Sequence, residues 1–171
     1  MLRPLLLKRL DAMEKTLGEP VEYMRHVVRV SLRSFLKFAL FTPLAAHGRA
    51  LPIDLYHTAC FVATRNEDCG TCVQITINLA RKDRVADDLL RSLIAGRPDE
   101  LPEPARDVYL FSEAVVKADE EKAGAIRERL RTALGEEALI ELSFAIAAAR
   151  VFPTVKRGLG YATSCALVEL R

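Results

Sequence analysis

Apolar residues return at helical spacing along almost the whole chain, and no segment alternates apolar and polar residues with period two. That single feature removes sheet-based folds from consideration. It predicts an all-α protein of seven or eight helices. At 171 residues the chain suits one compact domain with a sizeable core.

The helices are delimited by their breakers. Residues 3–16 place Leu6, Leu10, Met13 and Leu17 on one side, and Gly18 and Pro20 stop the run. Residues 20–41 form a second long candidate carrying Val21, Met24, Val28, Leu32, Phe35 and Leu36. Arg25, Arg29, Arg33 and Lys37 recur every four residues there, which stacks them as one basic row. "TPLAAHGRALP" is a connector. Helices are expected over 53–65, from about Cys69 to Lys82, over 86–95 with Gly96 as its stop, over 104–118, and over 121–134 closed by Gly135. "GEEALIELSFAIAAARVF" opens with acidic residues suited to a helix N-terminus. Its middle is apolar on nearly every side, as in a central buried helix. Pro153 is expected to kink or end it, with a last helix over 154–169 in which Cys165 is packed.

Charge says little about partners overall and more about halves. The net charge is +2, which gives no case for nucleic acid. Residues 1–50 hold nine Lys and Arg against four Asp and Glu, whereas the remainder holds sixteen against nineteen. The basic row is read as a solvated face, with anionic lipid or a partner as the alternative. The start "MLRPLLLKRLDAMEK" lacks the pattern of a secretory signal. No segment approaches the roughly 18 uninterrupted apolar residues of a membrane span. The reading is a cytoplasmic protein with no membrane span.

In that compartment a C-x-x-C pair signals redox or metal chemistry more often than a structural disulfide. "RNEDCGTCVQITINLARK" places Cys69 and Cys72 at a helix start. Residues i and i+3 share a helix face, so the two sulfurs can meet. The helix N-terminus favours a thiolate, and Glu67 and Asp68 oppose it if close. Inert packing of two small residues is the plain alternative. His57 and Cys60 are i, i+3 neighbours on the preceding helix, from which His57 could reach the sulfurs and move protons. A metal reading takes His57, Cys60, Cys69 and Cys72 as H-x₂-C-x₈-C-x₂-C, four zinc ligands at a spacing that matches no common finger. His26 and His47 read as solvated. "KRGLGYATS" has no strand before it and no third glycine, so it carries no nucleotide site. No motif implies an organic cofactor.

Taken in order, "NEDCGTCVQITINLARK", a short helix ending in Gly, "LPEPARDVYLFSEAVVKADEE" and "ALGEEALIELSFAIAAARVFPTVKR" resemble the alkylhydroperoxidase D-like (AhpD-like) / carboxymuconolactone decarboxylase superfamily. The likeness covers about residues 50–160. It implies a domain over 50–171 preceded by an N-terminal helical extension over 1–49, and a homo-oligomer. It also implies a CxxC-dependent thiol oxidoreductase that reduces hydroperoxides or disulfides with electrons from a partner dithiol protein. By position, Cys72 would attack peroxide and pass through sulfenic acid, and Cys69 would close the disulfide. Two positions depart from the family. Thr76 stands where the family often has a histidine, and His57 where it has a glutamate. The expected Glu/His relay is thus absent as such. His57 is taken to rebuild it from the other helix, with Glu67 assisting. Two alternatives remain at this point: a zinc-holding or non-catalytic oligomer of the same fold, and a decarboxylase-type enzyme that does not use the cysteines.

Overall fold

The computed structural model describes residues 2–162 and 168–170. Among these the protein is all-helical, with nine α-helices and no strand. They are α1 (Leu2–Leu17), α2 (Glu22–Val30), α3 (Leu32–Ala39), α4 (Ile53–Arg65), α5 (Gly70–Lys82), α6 (Asp87–Ala95), α7 (Ala105–Val116), α8 (Glu120–Leu134) and α9 (Glu136–Gly158). A short 3₁₀ turn, Pro98–Glu100, lies between α6 and α7.

Helix α4 is the centre. Nine of its thirteen residues are buried, and it packs against α5, α7 and α9. Its apolar and small residues run all round the helix, which suits a fully enclosed element. Leu142 and Ile146 of α9, Val108 of α7 and Leu90 of α6 complete the main core. Gly96 ends α6 at φ 66°, in the left-handed region that a helix-terminating glycine occupies without strain.

Helices α1 to α3 build a second, smaller core from Leu6, Leu10, Val21, Tyr23, Val28 and Phe35, joined by Val155 and Tyr161 from the end of the chain. The turn after α1 seats this unit on α5. Gly18 has φ 71°, and a Cβ there would lie 2.7 Å from Asn78 Nδ2. The same Asn78 amide donates to Leu17 O at 2.7 Å.

Three boundary expectations need correction. Residues 20–41 are not one helix: Ser31 is extended (φ −141°, ψ 96°) and caps α3, its hydroxyl accepting from Ser34 N at 3.2 Å. Serine competes with the helix for backbone groups, so it starts a helix here rather than continuing one. The basic row is broken as a result. Arg25 turns to Asp11 at 2.6 Å and to Glu14, and Arg29 pairs with Glu22 at 3.0 Å. Pro153 does not end α9, which runs through it to Gly158. Proline offers no N–H to the Ala149 carbonyl, and the helix continues without that bond. Residues 159–162 and 168–170 are not helical, which shortens the last helix expected over 154–169. Cys165 falls outside the described residues.

One reading of apolar length also changes. By length and composition α9 is apolar enough to cross a membrane, with a mean hydropathy of 1.6 over its best window. Glu141 and Arg150 interrupt the apolar run, which conceals this when the sequence is read for uninterrupted stretches. Of that window, 39% is buried inside the fold.

The connector before α4 is held by one side chain. Both carboxylate oxygens of Glu141 accept from the backbone N–H groups of Arg49 (2.9 Å), Ala50 (3.1 Å) and Leu51 (2.8 Å). The bond to Leu51 N–H is the main reason this carboxyl sits below its ordinary range. A depressed carboxyl contributes stability above its unfolded-state pKa and loses it as pH falls through the folded value. Glu141→Gln should therefore lower the unfolding free energy by about 1 kcal/mol at pH 7. The gap from the unmodified protein should close below pH ~4. Denaturant unfolding at both pH values measures this.

Candidate functional site

The turn between α4 and α5 is shaped to present the cysteines. Asp68 is held at φ 47°, a left-handed conformation that aspartate tolerates better than most residues. Cys69 then occupies the N-cap of α5 and Cys72 lies in the first turn. The two sulfurs are 2.8 Å apart, and both residues are buried. The expectation that the sulfurs meet at a helix start holds.

Cys72 faces a cavity of about 300 Å³. Its walls come from both cores: Leu17 and Tyr23 from α1 and α2, His57 and Cys60 from α4, Thr76 from α5, and Lys156 from α9 all contribute. His57, Cys60 and Cys72 thus share one space, whereas Cys69 lies behind it at 0% exposure.

His57 has a partner that sequence reading missed. Its Nε2 lies 2.8 Å from Asp83 Oδ2, at the end of α5. Burial pushes the imidazole below its ordinary pKa, against the opposing pull of Asp83. The ring is therefore neutral at pH 7, with Nε2–H donating to Asp83 and Nδ1 left as the basic nitrogen. A histidine and an aspartate on different helices, 26 residues apart, leave no local spacing signal.

The thiol that faces the cavity is not a resting thiolate. Burial raises the Cys72 pKa, and its hydrogen bond and charge coupling with Cys69 raise it further. The charges of Lys156 and Arg157 pull the other way and lose. Here burial outweighs the helix N-terminus. Cys60 is pushed up to about 12 by complete burial, partly offset by a hydrogen bond from Tyr56. The one hydroxyl proton of Tyr56 is shared with Ala45 O, which lies 2.6 Å away.

Glu67, expected to assist, is otherwise engaged, and so is Thr76, which stands at the family's histidine position and is a further candidate to assist. Glu67 accepts from Arg150 Nε at 2.7 Å and Arg157 Nη1 at 3.1 Å. Burial alone would raise its carboxyl, but these arginine bonds hold it below the usual range. It is a clamp between the cysteine turn and α9 rather than a proton carrier. Thr76 lines the cavity, but its hydroxyl donates to Val73 O at 2.7 Å, as a helical threonine does when it caps its own turn.

The zinc set is not assembled. Among the described residues no three His, Cys, Asp or Glu side chains converge as a metal cage. Within the proposed four, Cys69 and Cys72 pair with each other and His57 turns to Asp83.

Lys156 is the other residue without a sequence signal. It is 6% exposed on α9 and lines the cavity. In the sequence it reads only as a basic residue near a helix C-terminus.

No family model, no curated protein and no solved structure matches the chain.

Two measurements check this electrostatic account. Alkylation of Cys72 should rise with pH beyond the ~8.5 of a free thiol, and Lys156→Met should move that profile to still higher pH, read by site-resolved mass spectrometry. In an NMR titration, His57 should protonate only below its ordinary ~6.5, and Asp83→Asn should lower its midpoint further, because the carboxylate that favours the imidazolium is gone.

Proposed function

We propose that this protein is a CxxC-dependent thiol oxidoreductase resembling the AhpD-like peroxidases, acting on hydroperoxides or disulfides. The observation that carries the reading is the Cys69–Cys72 pair, with sulfurs 2.8 Å apart at a helix N-terminus and Cys72 open to a cavity that His57 also lines. Closure to a disulfide needs the sulfurs to approach to about 2.05 Å, a short movement from this separation. The all-helical fold is consistent with the resemblance.

Chemistry on a hydroperoxide follows from these positions. His57 Nδ1 takes the Cys72 proton, and Asp83 steadies the imidazolium through Nε2–H. The Cys72 thiolate attacks the terminal peroxide oxygen. The O–O bond breaks, and the leaving alkoxide takes the proton from His57, giving an alcohol and Cys72 sulfenic acid. Cys69 then attacks the Cys72 sulfur. Its own proton goes to the departing hydroxide as water, and the disulfide forms. Two electrons from an external dithiol protein restore both thiols. Lys156, through its charge on Cys72, eases thiolate formation in a wall where burial opposes it.

The raised thiol pKa makes the base more important, not less. A low-pKa cysteine is a thiolate before substrate arrives, whereas a buried one needs its proton removed as it reacts. The neutral His57–Asp83 pair suits that role. Homo-oligomer formation belongs to the same proposal. On α9, Ile140 and Phe144 lie one turn apart and are 48% and 51% exposed, an apolar face of the kind that packs between subunits. A cytoplasmic location belongs to the same proposal, since reductants there keep a dithiol reduced.

Stopped-flow mixing of reduced protein with cumene hydroperoxide, followed by mass spectrometry, tests the assignment. The unmodified protein should form a Cys69–Cys72 disulfide. Cys69→Ser should stop at a trappable sulfenic acid on Cys72, and Cys72→Ser should not react. His57→Gln should slow the first step about 10²-fold with its helicity unchanged. A Cys72 that ignores peroxide would sink the proposal. Turnover that persists in both serine variants would instead favour a decarboxylase-type enzyme that leaves the cysteines idle.

A further inference from the structure

The cavity wall contains one feature that thiol chemistry does not require. Most of its lining is aliphatic, aromatic or small, including Met13 and Leu17 of α1, Met24 of α2, Ile75 and Leu79 of α5, and Phe152 of α9. Into this wall the fold brings one lysine. Lys156 is 6% exposed and lines the cavity, and among the described residues no salt bridge joins it to a carboxylate. Its neighbour Arg157, by contrast, is matched by Glu67. Among the described residues no carboxylate lines the cavity. Asp83 is engaged by His57.

A cation that faces a largely apolar cavity, with no ion pair to a carboxylate among the described residues, favours an anionic head group on whatever enters the space. Away from His57 and Cys72, most of the wall offers apolar area to a hydrocarbon chain. At about 300 Å³ the cavity lies at the small end of ligand pockets, which run from roughly 300 to 1,000 Å³. A tail on the order of eight to ten carbons suits that size.

We propose that the cavity between α1, α2, α5 and α9 binds a free medium-chain organic acid, its carboxylate paired with Lys156 and its hydrocarbon tail against the residues of α1 and α2. The first two helices are then one side of a binding site rather than an appendage. This goes beyond the peroxidase reading and does not depend on it, because binding uses the lysine and the apolar wall and not the sulfurs. It also has a consequence for the cysteines. The carboxylate and a Cys72 thiolate would share one cation, so an occupied cavity holds Cys72 in its thiol form.

Calorimetry with octanoate, 1-octanol and acetate tests the proposal, on the reduced protein and on Cys69→Ser/Cys72→Ser. Octanoate should bind once per chain to both. It should bind about tenfold more tightly than 1-octanol, the advantage expected of a charge-assisted hydrogen bond. Acetate, which lacks the tail, should not bind measurably. Lys156→Met should keep 1-octanol binding and lose the preference for the acid. Equal affinity for octanoate and 1-octanol in the unmodified protein, or no octanoate binding, would overturn the proposal whether or not Lys156→Met folds. Peroxide turnover without octanoate binding removes this inference alone, and octanoate binding with inert cysteines removes the peroxidase reading alone.

Discussion

The enclosure of α4 is the constraint on which the rest depends. Residues 57–64 of this helix are buried without a break, so every surface of it must be met by another element. Helices α5, α7 and α9 do this, and the packing decides which polar side chains are taken from water. His57 is one of them. Placed on this helix it must be neutral or paired, and it is both: burial lowers its pKa, and Asp83 reaches in from the end of α5. Cys60, one turn on, goes with it into the core and loses its acidity.

The same enclosure gives the cysteine turn its character. Cys69 and Cys72 begin the helix that packs on α4, and the Glu67 clamp to Arg150 and Arg157 ties their turn to α9. Two effects then compete at Cys72. The helix N-terminus and the nearby cations favour the thiolate, while dryness and a second sulfur disfavour it. Dryness wins because desolvation acts on the whole charge, whereas Arg157 already answers to Glu67 and Lys156 acts alone. A site of this kind keeps its thiols protonated until a base and a substrate are both present.

How much of this was legible in the sequence follows the range of each interaction. Helical class, the cap at Gly96 and the C-x-x-C at a helix start rest on local spacing, and all are present in the structure. The middle of α9, expected to be buried on nearly every side, instead leaves Ile140 and Phe144 about half exposed, and α4 takes the central place. The break at Ser31 was not visible, because a serine within an apolar run is compatible with either continuation or capping. Of the two outcomes expected at Pro153, a kink or an end, the end does not occur: α9 runs through to Gly158, because proline weakens a helix locally but packing can hold it. The partners were the least legible. His57 with Asp83, Glu141 with the 49–51 backbone and Glu67 with α9 join residues 26 to 92 positions apart. No period or motif records such pairs.

Cavities are also products of distance in sequence, and here that has a physical consequence. The space beside Cys72 is bounded on one side by the small core of α1 to α3 and on the other by the main core. Neither core by itself encloses it. The two meet at the Gly18 turn, where φ 71° favours glycine and a Cβ would force the Asn78 amide to move from Leu17 O. The first three helices therefore do more than add mass to a helical domain. They supply Leu17, Tyr23 and Met24 to the wall and so take the cysteine face of α5 out of bulk water. That dryness raises the Cys72 pKa and sets Lys156 in a largely apolar wall.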